Sequence, residues 1–225
     1  MQGDPGASSE KARVLIVDDH PVVRAGLTQL IGKEEDLAVC GEASSQCAAL
    51  KVIAELRPDI ATVDISLKGG DGIELIKDIK VRHPHLPVLV LSMHDESLYA
   101  PRALRAGAKG YVMKQEAAET LVAAIRQVLA GKMWVSEKVA ARMLQNFADG
   151  QCSGSPGPLE VLTDRELEVF EQIGRGLTTR QVAARLHLSV KTIESHQAKI
   201  RQKLTLKSAR ELVRVATMWV ERDSG

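Results

Sequence analysis

Short apolar runs alternate with amphipathic stretches through the first half of the chain. The apolar runs have the length of β-strands and lie near residues 13–17, 37–43, 60–63, 88–91 and 110–113. Between them, apolar residues recur with the period of an α-helix, as in Val23, Leu27, Leu30 and Ile31. Strands that alternate with helices predict a parallel sheet with helices on both faces. We therefore expect an α/β domain with a five-stranded, doubly wound parallel sheet.

The second half of the chain has the pattern of a small all-α domain. A Ser or Thr followed three residues later by Glu or Gln can cap a helix reciprocally. Such pairs mark three helix starts, at Thr163 with Glu166, Thr178 with Gln181, and Ser208 with Glu211. Ser189 marks a further start, because its hydroxyl can accept a hydrogen bond from the first turn of a helix that runs to about Leu204. A separate helical stretch is predicted from Ser136 to about Asn146.

A segment of low complexity separates the two halves. Residues 149–158 are rich in Gly, Ser and Pro, a composition that cannot pack a core, and they are predicted to form a linker. The expected boundaries are 1–11 for a flexible leader, 12–132 for the α/β domain, 133–158 for a helical extension with the linker, and 159–222 for the helical domain.

The composition is that of a globular protein. Of 225 residues, 44% are apolar and 26% are charged, and no apolar run approaches the roughly 20 residues that span a bilayer. The first ten residues lack the basic start and apolar stretch of a secretory signal, so we expect a cytosolic protein with no membrane contact. Cys40, Cys47 and Cys152 are odd in number and form no close pair, which argues against disulfides and a zinc site.

Basic residues concentrate in the predicted helical domain. Residues 175–214 contain ten Lys and Arg against two acidic residues, a local charge of +8. Residues 1–144 carry 18 basic and 19 acidic residues, a local charge of −1. A positive field confined to one small helical region favours a polyanionic partner such as DNA. Solvated helix faces are also often basic, so charge alone leaves both interpretations open.

Polar groups suited to chemistry follow four of the predicted strands. Asp18 and Asp19 come after the first strand, Asp64 after the third, Ser92 at the end of the fourth and Lys114 after the fifth. The carboxyl ends of parallel strands meet at one edge of a sheet, where ligands bind in open α/β folds. Neighbouring carboxylates repel one another unless a divalent cation lies between them, and this predicts a Mg2+ site.

The same edge of the sheet is suited to phosphoryl chemistry. A carboxylate beside Mg2+ can attack phosphorus to form an acyl phosphate, and Lys114 with Ser92 would then neutralise and hydrogen-bond the phosphoryl group. A plainer alternative is that Asp18 or Asp19 caps the following helix and that Lys114 is a surface charge. The joint placement of these groups favours the site. The four histidines of this region show no metal-ligand spacing and are interpreted as surface or loop residues: His20, His83, His85 and His94.

These motifs resemble those of a known family. The segments VLIVDDHPVVRAGL, GGDGIEL after Asp64, LSMHD and RALRAGAKGYVMKQ are similar to the receiver domain of response regulators. From about Ala12 to Ala216 the chain resembles the NarL/FixJ family, in which a flavodoxin-like receiver precedes a LuxR-type helix-turn-helix domain. The resemblance implies a phosphoacceptor at Asp64, switch residues at Ser92 and Tyr111, and the phosphoryl-site lysine at Lys114. It also implies Mg2+ ligands at Asp18, Asp19, Asp64 and the backbone carbonyl of Ser66. From the residues alone, Tyr111 is an aromatic that fills the end of a strand.

The basic region fits a pair of helices that reads DNA. Residues 179–186 and a second, basic helix are separated by a short break at 187–189, which is the arrangement of a helix-turn-helix. Leu162 to Val213 resembles the LuxR-type domain, which implies that the helix from Val190 to Leu204 enters the major groove. Base contacts are predicted for Lys191, Thr192 and Ser195, and phosphate contacts for Lys199, Lys203, Arg180 and Lys207.

The resemblance implies a two-component transcription regulator and not an enzyme, apart from the part the receiver takes in its own phosphorylation. A cognate histidine kinase would phosphorylate Asp64 and thereby control the binding of double-stranded DNA. The last helix carries an apolar stripe at Leu212, Val215, Ala216 and Trp219. Such a stripe usually packs inside its own domain, but it can also pair with a second copy, and the resemblance implies that family members dimerise there, so a homodimer is expected when active. Two alternatives stay open at this point, a DNA-binding regulator that works without phosphorylation and a Mg2+-dependent phosphohydrolase. The second lacks a general acid, because Ile65 and Ser66 follow Asp64.

Overall fold

The computed structural model describes residues 11–67, 71–116, 118–148, 159 and 161–223. The predicted leader, apart from Lys11, and the predicted linker at 149–158 therefore lie outside the described residues. The chain divides into two compact units, Met1–Asn146 and Phe147–Gly225. No helix among the described residues is both long and apolar enough to cross a lipid bilayer.

The first unit is built on a parallel sheet. Its strands are β1 (Ala12–Val17), β2 (Leu37–Ala43), β3 (Ile60–Val63), β4 (Val88–Ser92) and β5 (Gly110–Met113). They follow the order β2-β1-β3-β4-β5, and every paired neighbour is parallel. In this doubly wound order, the strands after β2 are added on the other side of β1. The helices that follow β1 and β3 therefore lie on opposite faces of the sheet, and a crevice opens beyond the carboxyl ends of these two strands. The predicted α/β class and the predicted strands are confirmed.

Helices cover both faces of the sheet. They are α1 (Pro21–Ile31), α2 (Gln46–Leu56), α3 (Gly72–Arg82), α4 (Glu96–Ala106) and α5 (Ala118–Leu129), followed by α6 (Glu137–Ala148). The strands β1, β3 and β4 bury nearly all of their side chains, as expected for a parallel sheet with two covered faces, whereas the edge strand β2 is mostly half-buried. Val14, Ile16, Leu89 and Ile125 belong to the core that these layers enclose.

The second unit contains the helices α7 (Asp164–Gly174), α8 (Thr179–Arg185), α9 (Val190–Lys203) and α10 (Ala209–Asp223). Gly174 lets α7 and α10 approach closely, because a Cβ at this position would lie 2.5 Å from the carbonyl oxygen of Ala216. Ile193 and Ile200 of α9 are fully buried, and the rings of Phe170 and Trp219 lie 6.2 Å apart. Leu212 and Ala216 of the α10 stripe are buried as well, so this part of the stripe packs inside the unit.

The helix starts of the second unit follow the predicted capping residues with one exception. Thr163 with Glu166 and Thr178 with Gln181 both form complete capping boxes, and Ser189 accepts from Thr192 N. At the last helix only half of the predicted box forms. Ser208 Oγ accepts from Glu211 N, but the Glu211 carboxylate accepts from the backbone of Lys207 and not of Ser208.

The segment that follows α5 returns to the sheet before α6 begins. Trp134 forms an isolated parallel bridge with Gly110 of β5. Its carbonyl oxygen accepts from Tyr111 N over 2.9 Å, and its N–H donates to the Lys109 carbonyl over 3.0 Å. A side chain at position 110 would clash, because a Cβ there would lie 2.8 Å from the Trp134 carbonyl oxygen. The predicted helical extension, which begins at residue 133, is thus attached to the α/β unit along one strand edge.

The α6 helix contacts the amino-terminal part of α4. Ser136 Oγ lies 2.8 Å from Glu96 Oε1, and Val139 is buried. Pro101 lies inside α4 and has no N–H to donate to the carbonyl of Ser97 four residues earlier. Arg142 Nη1 donates to that carbonyl over 3.4 Å instead. A side chain of α6 therefore supplies a hydrogen bond that the sequence of α4 removes.

Candidate functional site

The strand order brings two aspartates together at the carboxyl edge of the sheet. Asp18 follows β1 and Asp64 follows β3, and the N–H of Asp64 donates to the Val17 carbonyl over 2.9 Å. Both carboxylates are almost completely buried, with Asp18 1% exposed and Asp64 3% exposed. Neither Asp18 nor Asp19 is the N-cap of α1, because that residue is His20, whose side chain makes no capping hydrogen bond. The plainer interpretation of Asp18 and Asp19 as helix caps is therefore wrong.

Lys114 lies between the two buried carboxylates. Its Nζ is 2.6 Å from Asp18 Oδ2 and 2.6 Å from Asp64 Oδ2. Burial raises the pKa of Asp64, and the Lys114 ammonium opposes that rise only in part. Desolvation alone would lower the pKa of Lys114, but the facing carboxylates of Asp64 and Asp18 outweigh it and raise this pKa. Lys114 is therefore a charged group of the site and not a surface lysine.

The acidic groups form a cluster that could hold a metal ion. One ligand atom from each of Asp18, Asp19, His20 and Asp64 lies within 4.8 Å of the others. The Asp18 Oδ2 and Asp19 Oδ1 atoms are buried; the first lies 2.6 Å from Lys114 Nζ and the second 2.8 Å from His20 Nδ1. Carboxylates this close to one another repel unless cations lie between them. The residues present therefore fit a divalent ion with oxygen ligands.

Ser92 and Tyr111 line the same edge on the side of β4 and β5. Ser92 is fully buried, its Oγ accepts from His94 N over 3.1 Å, and its carbonyl accepts from Lys114 N over 2.9 Å. Tyr111 is 2% exposed, and its hydroxyl donates to the His94 carbonyl over 2.9 Å. The tyrosine ring thus lies inside the molecule, next to the loop that leaves β4.

His94 was expected on the surface or in a loop, and it lies in the loop between β4 and α4. Its side chain is buried, its Nε2 lies 2.7 Å from Ser66 Oγ, and its ring stacks on Tyr99 at 4.5 Å between centroids. Ser66 N in turn donates to Asp64 Oδ1 over 3.2 Å. His94 therefore connects the loop after β3 to α4. No spacing rule signals such a contact, because it depends on two loops that meet only in the folded sheet.

The loop after Asp64 is held close to the start of α3. Asp71 caps this helix by accepting from Ile73 N, and Gly72 N donates to the Ile65 carbonyl over 2.9 Å. A Cβ on Gly72 would lie 2.2 Å from the Asp64 carbonyl oxygen and 2.6 Å from Ile65 Cα. Glycine is therefore required at position 72 for the backbone of Asp64 to take its position.

The predicted DNA contacts other than Lys207 lie on two consecutive helices, α8 and α9. Lys191, Ser195 and Lys199 are exposed on α9, and Arg180 is exposed on α8. Thr192 is half-buried, and its Oγ1 lies 2.7 Å from Ser189 Oγ at the start of α9. The predicted contacts near the amino-terminal end of α9 therefore share one helix end.

Two of the predicted phosphate contacts lie towards the other end of α9. Lys203 Nζ is 2.7 Å from Glu166 Oε2, so this ammonium has an intramolecular partner. Hydrogen bonds from Lys203 and Thr163 lower the pKa of Glu166 against the opposing effect of burial. Lys207 lies in the exposed turn before α10.

Comparison with family models assigns the two units separately. The model described as the response regulator receiver domain matches residues 14–126, and the model described as bacterial regulatory proteins, luxR family, matches residues 160–216. The receiver match contains the whole carboxylate and lysine cluster. The second match contains the basic helices.

Full-length relatives share both units. The oxygen regulatory protein NreC of Staphylococcus epidermidis is 34% identical over 209 residues, which cover 91% of this chain and 96% of that protein. NreC of Staphylococcus carnosus is 34% identical over 208 residues, again with 91% of this chain and 96% of that protein covered.

Solved structures show the same similarity. A two-component response regulator of the LuxR family from Aurantimonas sp. SI85-9A1 matches with a TM-score of 0.58 and 36% identity, and covers 62% of this chain and 99% of that one. RcsB from Salmonella enterica serovar Typhimurium, bound to promoter rprA in the presence of phosphomimetic BeF3-, matches with a TM-score of 0.59 and 28% identity. That match covers 92% of this chain and 99% of the RcsB chain.

Proposed function

The chain belongs to the NarL/FixJ response regulators, which join a receiver to a LuxR-type DNA-binding domain, and from this membership we propose that phosphorylation of Asp64 controls DNA binding by α9. It is a two-component transcription regulator and not a metabolic enzyme, so the phosphohydrolase alternative is set aside. The observation that carries the proposal is the contact of Lys114 with Asp18 and Asp64, which are both buried at the strand ends.

In the proposed reaction, a carboxylate oxygen of Asp64 attacks the phosphorus of a phosphohistidine on the cognate kinase. A P–O bond forms, the N–P bond breaks, and the electron pair stays with the departing imidazole nitrogen. Burial favours this step because it removes water from a carboxylate that must act as a nucleophile. A Mg2+ ion held by Asp18, Asp19, Asp64 and the carbonyl of Ser66 would supply charge neutralisation for the phosphoryl oxygens.

Lys114 and Ser92 are proposed to hold the product. The phosphoryl group brings roughly two negative charges and three acceptor oxygens to the end of β3. Lys114 Nζ already contacts Asp64 Oδ2, so an oxygen added there lies within reach of its ammonium. Ser92 Oγ has a donor hydrogen of its own, because its present hydrogen bond with His94 N uses it as an acceptor. Recruitment of Ser92 to the phosphoryl group would move the loop that carries His94.

We propose that this movement reaches Tyr111 through the same loop. The tyrosine hydroxyl donates to the His94 carbonyl, so displacement of that carbonyl breaks this hydrogen bond. The bias needed is small, since a coupling of about 1 to 3 kcal/mol changes an affinity severalfold to about a hundredfold. Tyr111 is therefore the proposed switch residue between the site and the α4 and β5 surface.

On the DNA side, Lys191, Thr192 and Ser195 are proposed to contact base edges and Lys199 a phosphate. Arg180 and Lys207 are exposed and are proposed as further phosphate contacts. Lys203 takes that role only if it leaves Glu166, with which it pairs. Because DNA is the proposed target and a histidine kinase the proposed phosphodonor, the cytoplasm is the proposed site of action, and the active form is proposed to be a homodimer on a two-fold DNA site.

The test combines phosphorylation with DNA selection. The purified chain is incubated with acetyl phosphate and Mg2+, its intact mass is measured, and the DNA sequences it retains are compared with those of the untreated chain. We expect the mass of one phosphoryl group and tighter binding of a selected sequence. Asp64→Asn should lose both effects.

Asp59→Asn is the matched control, because Asp59 is an exposed aspartate at the opposite edge of the sheet, and asparagine keeps an oxygen that can accept from Arg13 N. Equal DNA affinity for the phosphorylated chain and for Asp64→Asn would support the phosphorylation-independent alternative. An unchanged mass after treatment would refute the proposed acceptor.

A further inference from the structure

The backbone of Asp18 is held on both sides. Its N–H donates to the Ala43 carbonyl at the end of β2 over 3.1 Å. Its carbonyl lies beyond Val17, the last paired residue of β1, and accepts from Arg24 Nη1 of α1 over 2.7 Å. That carbonyl belongs to the planar peptide that joins Asp18 to Asp19. The bond from Arg24 therefore fixes the orientation of the peptide between the two aspartates.

Arg24 is itself held in place by a neighbouring carboxylate. Its Nε donates to Glu42 Oε2 of β2 over 3.0 Å, and Glu42 Oε1 accepts from Thr28 Oγ1 over 2.9 Å. A guanidinium carries its donors in one rigid plane, so the bond to Glu42 determines where Nη1 points. The Arg24 side chain is only 18% exposed. Arg24 is thus a rigid link from α1 and β2 to the end of β1.

The position of the Asp18 carboxylate depends on the same turn. Its Oδ1 accepts from His20 N over 2.8 Å, and its Oδ2 lies 2.6 Å from Lys114 Nζ. An aspartate accepts from the backbone two residues later only when the intervening peptide has one particular orientation. A rotation of the peptide after Asp18 would therefore move this carboxylate away from Lys114.

We propose that Arg24 is a positioning residue of the phosphorylation site, which orients the peptide between Asp18 and Asp19 and thereby places both carboxylates beside Asp64. This role rests on the proposed function, because it gives Arg24 a part in the same reaction. Arg24 contacts no reacting atom and acts through the backbone of Asp18. Partners that orient metal-binding carboxylates in this way typically contribute about tenfold to a hundredfold in metal affinity or activity.

The first measurement is the rate at which the intact mass of the full chain rises in acetyl phosphate, over a series of MgCl2 concentrations. In Arg24→Met the MgCl2 concentration that gives the half-maximal rate should rise at least about tenfold, whereas the rate at saturating MgCl2 should change much less. Methionine keeps much of the apolar stem of arginine and removes its donors. A merely structural loss would lower the amount of folded chain, and with it the maximal rate, without shifting the Mg2+ dependence.

Arg126→Met is the matched control. Arg126 of α5 also donates to carboxylates, those of Glu34 and Asp36, but these precede β2 at the opposite edge of the sheet. This variant should keep the wild-type Mg2+ dependence. Glu42→Gln should shift that dependence less than Arg24→Met does, and it should add nothing in the Arg24→Met background, because Glu42 acts only through Arg24.

The second measurement needs neither a phosphodonor nor a metal ion. An ammonium held by two buried carboxylates exchanges its protons slowly with water, so Lys114 should give a 15N NMR signal in the metal-free chain that is absent from Lys114→Gln. In Arg24→Met we expect at least about fivefold faster exchange, as for the loss of one of two hydrogen bonds. Arg126→Met should show the wild-type rate.

The outcomes separate the two claims. In a chain that gains phosphoryl mass, the role of Arg24 requires both effects. An unchanged Mg2+ dependence or unchanged Lys114 exchange in Arg24→Met, or equal changes in Arg126→Met, would overturn it and leave the proposed acceptor Asp64 standing. A wild-type chain that gains no mass would overturn the proposed acceptor, and the Lys114 exchange rates would then decide for or against Arg24.

Discussion

Gly72 is the residue on which the position of the Asp64 backbone most directly depends. In Gly72→Ala the new methyl group would meet backbone atoms of Asp64 and Ile65, which cannot move as a flexible side chain can. We expect a loss of about 1 to 3 kcal/mol in the free energy of unfolding, together with slower phosphorylation by acetyl phosphate. Urea titration and intact mass measure these two effects.

Gly26→Ala is the matched control for this prediction. Gly26 also lies in a helix, α1, but a Cβ there would meet nothing within 4 Å. Alanine at this position should leave phosphorylation unchanged and stabilise the helix by roughly 0.5 to 1 kcal/mol. Equal losses in both variants would refute the steric argument for position 72.

His196 gives the helical unit a predicted dependence on pH. Burial lowers the pKa of His196, and the nearby positive charges of Arg165 and Lys199 contribute to the same direction. Because the folded-state pKa lies below the unfolded value of 6.5, protonation favours the unfolded state. The stability contributed by neutral His196 is therefore complete above that value and is lost as the pH falls through the folded-state pKa.

Urea titrations at about pH 7.5 and about pH 5.5, followed at NMR signals of the helical unit, measure this effect. His196→Gln should reduce the difference between the two conditions. His187→Asn should not, because His187 is exposed in the turn between α8 and α9, and asparagine tolerates its positive φ. An undiminished pH effect in His196→Gln would contradict the assignment.

At the scale of single residues, the sequence predicted the groups whose position follows from the strands. Asp18, Asp64 and Lys114 meet because each follows a strand of one parallel sheet. His20 and His94 lie in loops, as predicted, but their contacts were not predicted, because these depend on how the loops turn at that edge. A side chain one residue past a strand is placed by the sheet, whereas one two or more residues past it is placed by tertiary packing that spacing does not encode.

At the scale of elements, α4 and α6 form a pair that depends on one proline. Arg142→Met should weaken α4 by about 1 kcal/mol, because the Ser97 carbonyl loses its donor. Pro101→Ala restores an N–H within α4, so Arg142→Met should cost less in that background. Hydrogen exchange of the α4 amides in the four chains of this double-mutant cycle measures the coupling.

The methionine variant keeps much of the apolar stem of Arg142 and removes its donors, so lost packing contributes little to the difference. Identical effects of Arg142→Met with Pro101 and with Ala at that position would show that the proline and the arginine are not linked. Destabilisation of α4 that grows when Pro101 is replaced would contradict the argument outright.

Element boundaries were predictable to within about one residue for the strands, because parallel strands are apolar on both faces and their runs end abruptly. The half-formed capping box at Ser208 could not be predicted from the sequence. The Glu211 carboxylate can accept from the backbone N–H of Lys207 as well as from that of Ser208, and it accepts from Lys207. The return of Trp134 to β5 was not predictable either, because a single bridge leaves no alternating pattern.

At the scale of the whole molecule, the proposed DNA contacts are of two kinds, those to phosphates and those to bases, and substitutions should affect binding differently for each kind. Lys199→Ala should weaken binding to all sequences alike and lower the slope of affinity against salt by about one unit, as the loss of one phosphate contact does. Lys191→Ala should instead cost about 1 to 3 kcal/mol on the selected sequence and relax specificity at one base. Fluorescence anisotropy at several salt concentrations measures both.

Lys203→Ala serves as the comparison for this pair. Since Lys203 pairs with Glu166, which belongs to the capping box of α7, its loss should lower the stability of the helical unit more than the salt slope. A salt slope reduced equally by Lys199→Ala and Lys203→Ala would show that Lys203 leaves Glu166 on DNA.

The bridge between Trp134 and Gly110 has a consequence for how the receiver can be isolated. β5 is an edge strand, and an uncovered edge presents unpaired N–H and C=O groups to other chains. Trp134 occupies these groups at Tyr111 and Lys109. A fragment that ends at Lys132 should therefore self-associate, whereas one that ends at Ala148 should stay monodisperse in light scattering. In this protein the shortest self-contained receiver extends beyond its fifth helix, because the chain itself shields the strand from sheet-to-sheet association.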